Sequence, residues 1–131
     1  MKPDEGSPPP AGQDVFPALA KFVKTVEFDE ALESGLLEAL KRFEECMSTN
    51  RGPFLCGERV TLPDFSLAPK LFHMDVALKT FRPDTHDKVK ANFPKVNEYM
   101  AVMFQTPAFN ETKYPEEYVV FGWTQARGGA H

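Results

Sequence analysis

Apolar side chains recur along this chain with helical spacing, and nowhere over a useful length with the period of two that a strand requires. Val15, Leu19, Phe22, Val23 and Val26 share one face of a first helix, with Asp14 placed as its cap and Pro17 in its first turn. Leu32, Leu36, Leu37, Leu40, Phe43 and Met47 form the stripe of a second helix over 30–48, capped by Asp29. Gly35 lies inside it at a cost near ~1 kcal/mol, and Asn50-Arg51-Gly52-Pro53 stops it. A third helix starts at Leu62 and ends near Phe81. Residues 83–92 are polar and read as one turn set off by Thr85. Val96, Tyr99, Met100, Met103 and Phe104 mark a further helix from Pro94 that stops before Pro107, and Ala108-Phe109 reads as a short turn. Pro115 to Phe121 reads as a last short helix, with Gly122 as its stop, Trp123 just beyond and a loose tail. The expectation is an all-α bundle of five or six helices, without internal repeats.

The stretch from Gly57 to Lys79 organises the rest. Thr61 and Asp64 have capping-box spacing, and Val60 and Phe65 are placed to close as a hydrophobic staple. Apolar residues from Phe65 to Leu78 then cover most of the helix circumference, as in an element buried at the middle of a domain. Ser66, Lys70 and His73 break this pattern along one narrow stripe. Pro69 sits inside the helix, where it removes a backbone bond and is expected to bend it.

Composition narrows the classes. The 131 residues are 42% hydrophobic and 26% charged with a net charge of −4, the profile of one globular domain. Lys and Arg are interspersed with acids, so the electrostatic footprint of a nucleic-acid binder is missing. No apolar run has the ~18 residues of a membrane span, and residues 1–12 lack the pattern of a secretory or transit peptide. Residues 1–13 have the composition of a Pro-rich disordered linker, which suggests that a further segment belongs upstream. The domain is expected over 14–124, with a flexible tail at 125–131.

Candidate chemistry is sparse. Cys46 and Cys56 have neither metal-ligand nor CxxC spacing and read as structural thiols of a reducing compartment. His73, His86 and His131 lie in unrelated contexts, which argues against a metal site. Acids such as Glu38, Glu44 and Glu45 read as solvated helix faces. A single His on an apolar helix is first a satisfied core residue, but the stripe His73 shares with Lys70 and Ser66 points toward a polar cleft. Trp123, the only Trp, reads by position as a plug that holds the tail.

The segment FLCGERVTLPDF resembles the F-L-x-G-x-x-x-T-x-x-D stretch of the glutathione transferase C-terminal domain. Its continuation, SLAPKLFHMDVALKTF, resembles the plant and algal dehydroascorbate reductases and, more distantly, the chloride intracellular channel proteins, which share L-x-P-K-L. Glu116 to Trp123 is similar to the E-E-Y-V-x-x-G-W end of the reductases, and Val15 to Lys24 to the first helix of their helical domain. The resemblance implies the all-α half of a two-domain enzyme. In that family a thioredoxin-like domain carries the nucleophilic Cys in a C-P-x-C/S motif and most glutathione contacts. Neither Cys46 nor Cys56 matches that motif. His73 and Trp123 carry over as contacts to ascorbate or glutathione; Lys70 takes no ligand role. The stretch 82–93 is longer than the family pattern.

The resemblance thus implies the substrate-side domain of a glutathione-dependent dehydroascorbate reductase of the ascorbate–glutathione cycle. Glutathione would be its co-substrate, with no metal, nucleic acid or membrane. The chain would be monomeric and cytoplasmic, or chloroplastic if a transit peptide precedes it, and inactive without a thioredoxin-like domain in trans. The alternative is a free-standing transferase-type C-domain that acts as an interaction scaffold. A membrane-associating protein akin to the chloride channels is the third reading.

Overall fold

The computed structural model describes residues 12–49, 52, 54–55, 57–60, 62–107, 109 and 115–128. Positions 1–11 of the linker expected over 1–13, Cys56, the Thr61 half of the capping box, Ala108 and His131 lie outside the described residues. Among the described residues six helices carry the fold: α1 Val15–Lys24, α2 Glu30–Ser48, α3 Leu62–Phe81, α4 Pro83–Asn92, α5 Pro94–Phe104 and α6 Glu116–Ala126. Among the described residues there is no strand, only an isolated bridge between Phe54 and Gly57.

Helix α3 is the axis of the molecule and packs against α1, α4, α5 and α6, while α2 packs on α1 and α5. Its Leu67, Ala68, Leu71, Met74, Val76, Ala77 and Leu78 are all buried, as the near-continuous apolar run requires. Each fully buried Leu side chain contributes about 1.5–3 kcal/mol. Pro69 lies within the helix without ending it. The expected staple residues Val60 and Phe65 stay largely exposed. Asp64 is fully buried and accepts hydrogen bonds from the Leu55 amide at 3.0 Å and the Tyr99 hydroxyl at 2.7 Å, so one carboxylate joins α3, α5 and the preceding loop.

Local expectations fail where a polar group has a distant partner. Asp14 stands before α1 but makes no cap hydrogen bond with its side chain, which pairs with Arg42 of α2 instead. Val26 is exposed, because α1 ends at Lys24. Asp29 does cap α2, accepting from the Leu32 amide at 3.1 Å. Glu44 is no free surface acid: its carboxylate accepts from the amides of Lys95 and Val96, both at 2.9 Å, and so caps α5 from a neighbouring helix. Residues 83–92 form a full helix rather than one turn. Buried Thr85 and Val89 anchor it, and the Thr85 hydroxyl donates to the buried Glu33 at 2.6 Å.

The last helix corrects the largest misreading. Gly122 does not stop it; α6 continues to Ala126, with Trp123 buried inside the helix. The segment after Gly122 is packed rather than loose as far as Arg127. The Arg127 guanidinium donates to the carbonyls of Val23, Thr25 and Val26 at the end of α1. Those carbonyls have no partner within their own helix, and a cation suits the negative end of the helix dipole.

Candidate functional site

Three helices bring one aromatic cluster together. Phe16 stands at the start of α1, out of step with the buried row Val15, Leu19, Phe22 and Val23, so its ring turns toward α3 and α6. His73 comes from α3 and Trp123 from α6. The centroids lie 6.2 Å apart for Phe16–His73, 6.0 Å for Phe16–Trp123 and 6.3 Å for His73–Trp123. Both pairs that include His73 are edge-to-face, at 87° and 70°, a geometry favoured by the ring quadrupoles. Beside the cluster opens a concavity of about 240 Å³, lined by Phe16, His73, Val119, Gly122, Trp123 and Ala126.

His73 is half-buried, and burial among these rings lowers its pKa below the ordinary 6.5. The imidazole is therefore neutral at pH 7 and offers one N–H donor and one acceptor nitrogen. Trp123 is 6% exposed, and its indole Nε1–H is buried without a hydrogen-bond partner among the described residues. The two residues singled out in the sequence thus meet in one site.

Their supposed companions do not join them. Lys70 reaches Gln13 at 3.4 Å, Ser66 is exposed, and neither lines the concavity. His86 pairs instead with Asp75 at 2.9 Å. Phe16, Val119, Gly122 and Ala126 escaped the sequence reading. Phe16 had a signal, an aromatic off the apolar stripe of its own helix. The other three became legible only once α6 was seen to pass through Gly122.

Chemically the concavity is a wall. Its lining offers one neutral imidazole and two aromatic faces, with no thiol, hydroxyl or carboxylate. It suits a small ligand with a polar edge that hydrogen-bonds and a face that stacks. No group of three or more metal-ligating side chains occurs among the described residues, and no helix there is long and apolar enough to cross a membrane.

Comparison with known proteins gives the family of the fold. Residues 17–101 match the glutathione S-transferase C-terminal domain. The chain is similar to the glutathione S-transferase DHAR2 of Arabidopsis thaliana, at 35% identity over 86% of this chain and 51% of that protein. It is also similar to human chloride intracellular channel protein 3, at 32% identity over 78% of this chain and 49% of that protein. The chain spans about half the length of these relatives. Among solved structures, a trimeric glutathione transferase of Leishmania, TDR1, superposes with a TM-score of 0.72 at 16% identity, covering 90% of this chain and 26% of that one. That likeness concerns the fold alone. With its helical order, its central α3 and the match over 17–101, the chain belongs to the glutathione S-transferase C-terminal domain family.

Proposed function

We propose that this helical domain forms the substrate-side wall of a glutathione-dependent dehydroascorbate reductase of the ascorbate–glutathione cycle. The observation that carries this reading is the meeting of His73 and Trp123 with Phe16 over one concavity. The similarity to the DHAR2 transferase supports it. A thioredoxin-like domain opposite this face supplies the nucleophilic thiolate and most glutathione contacts. Two glutathiones deliver two electrons and two protons to dehydroascorbate, leaving ascorbate and glutathione disulfide. In that cycle His73 hydrogen-bonds to the substrate edge and Trp123 covers its face. The helical domain by itself does not turn over, and it works in the cytosol as a monomer.

The test is reconstitution. Chain 1–131 alone should reduce no dehydroascorbate, whereas the thioredoxin-like domain of the Arabidopsis relative added in trans should restore reduction. His73→Ala and Trp123→Ala should each depress the restored rate. Full activity of the chain alone would overturn the division of labour. Restored activity indifferent to both substitutions would favour the scaffold reading, for which the exposed Tyr118 and Phe121 on α6 offer a contact surface.

A further inference from the structure

Gly122 is a helix-interior glycine that the fold does not need. Its backbone is not among the positive-φ glycines, which are Gly12, Gly57 and Gly128 within the described residues. Close approach does not require it either: a Cβ built at Gly122 meets no atom within 4 Å. By contrast, a Cβ at Gly12 would come within 2.8 Å of Leu67, and one at Gly52 within 2.4 Å of the Gly57 backbone. Glycine in the middle of a helix is destabilising relative to alanine, so a position free of both constraints lowers stability without a structural return. What Gly122 leaves behind is space, and that space borders the His73–Trp123 concavity.

We infer that Gly122 is a specificity-determining residue: its missing side chain sets the size of ligand that can lie against Trp123 and reach the His73 imidazole. Ala126, one turn further along α6, continues the same shallow floor. Phe16 also lines the concavity, its ring 6.0 Å from that of Trp123. A branched side chain at 122, whose Cβ meets no neighbouring atom within 4 Å, would extend over the floor and take up part of the concavity of about 240 Å³. The ligand class follows from the lining. It is a compact, uncharged ring bearing carbonyl oxygens, able to lie on an aromatic face and accept from a neutral imidazole. This inference rests on the proposed function for the identity of that ring, dehydroascorbate.

Trp123, the sole Trp, reports on the site directly. Chain 1–131 as wild type, Gly122→Ala and Gly122→Leu is titrated with dehydroascorbate while Trp123 fluorescence is followed, and thermal unfolding of each is recorded. Gly35→Ala serves as a helix-propensity control, because Gly35 lies inside α2 with nothing within 4 Å and outside this concavity. Wild type should respond saturably, Gly122→Ala should bind more weakly, and Gly122→Leu should lose about tenfold or more in affinity, the scale of added methylenes in a filled pocket. Both Gly122 variants should unfold at a higher temperature than wild type, and Gly35→Ala should do so with unchanged binding. Equal binding by Gly122→Leu and wild type would overturn the inference and leave the functional reading intact. A lowered unfolding temperature in both Gly122 variants would also overturn it, since the glycine would then serve the fold. No response from wild type overturns it too. If the reconstituted reductase were also indifferent to His73→Ala and Trp123→Ala, the functional reading would fall with it.

Discussion

The Tyr99 hydroxyl of α5 donates a 2.7 Å hydrogen bond to Asp64 Oδ1 of α3, with both residues buried at 1% and 0% exposure. Burial first, and the bond to Asp64 second, push the Tyr99 pKa far above its ordinary value of 10, so the phenol stays a donor throughout the accessible range. The Tyr99 ring also stands edge-on to Phe43 of α2 at 5.4 Å, so one side chain ties three helices together. Tyr99→Phe keeps this packing and removes one bond to a buried carboxylate. It should cost about 1.5–3 kcal/mol in urea unfolding, the worth of a hydrogen bond to a charged group. Asp64→Ala should cost more, because it strands both the Tyr99 hydroxyl and the Leu55 amide. Equal losses from the two substitutions would show that the carboxylate serves Tyr99 alone.

Glu33 gives the fold an acid-sensitive clasp. Burial acts to raise its pKa, but the hydrogen bonds from Thr85 and Lys88 outweigh this and leave it below the ordinary 4.5. The folded state therefore holds the Glu33 proton less tightly than the unfolded state. The corresponding stability is fully present above pH 4.5 and is lost as pH falls through the lower folded value. Urea midpoints measured from pH 6 downward should decline with a component that Glu33→Gln removes. Thr85→Val, which deletes one donor, should move that decline to higher pH.

The elements legible in the sequence were those whose cause is local. The apolar stripes of α2 and α5, the Asp29 cap and the start of α3 at Leu62 all follow from residues within a turn or two of each other. What escaped depends on partners far along the chain. Helix α4 has only Thr85 and Val89 buried, and its anchor Glu33 lies 52 residues away. Asp14 carries a good cap identity, but Arg42 competes for its carboxylate and wins. Gly122 looked like a stop because glycine usually ends helices; here Val119, Trp123 and the Arg127 contacts hold α6 in place through it. The site was half legible for the same reason. His73 and Trp123 were singled out by the resemblance of the P-K-L-x-H and G-W strings, since by position Trp123 read as a plug for the tail, whereas the Phe16 side and the Gly122 floor are products of packing.

Arg127 should control how firmly α6 presents Trp123. Its guanidinium donates to the Thr25 carbonyl at 3.3 Å and the Val26 carbonyl at 3.4 Å, as well as to Val23, and lies 4.6 Å from the centre of the Phe81 ring. Arg127→Met keeps much of the apolar stem and removes every one of these hydrogen bonds. Unfolding free energy should fall by about 1.5–3 kcal/mol, and Trp123 emission should shift to the red as water reaches the indole. Arg127→Lys should recover only part of the loss, because an ammonium cannot span three carbonyls as a planar fork does. Unchanged emission in Arg127→Met would show that α6 is held by Val119 and Trp123 packing alone.

His73 makes the last and most direct test of the wall. Burial against Phe16 and Trp123 lowers its pKa from 6.5, so the folded protein resists the proton that the unfolded chain accepts. Stability attributable to this group is therefore complete above pH 6.5. It declines as pH falls through 6.5 and levels off below the folded pKa. Neither facing ring is ionisable. The next cation along the α3 stripe, Lys70, is turned to Gln13. The His73 ring protons, followed by NMR from pH 8 to 5, should titrate with a midpoint below 6.5 and carry the Trp123 indole signal with them. Trp123→Leu, which removes one flanking ring and admits water, should move that midpoint back toward 6.5. A His73 midpoint well above 7 in the wild type would mean that the imidazole is mostly charged at neutral pH. The neutral donor–acceptor wall argued for it would then be wrong.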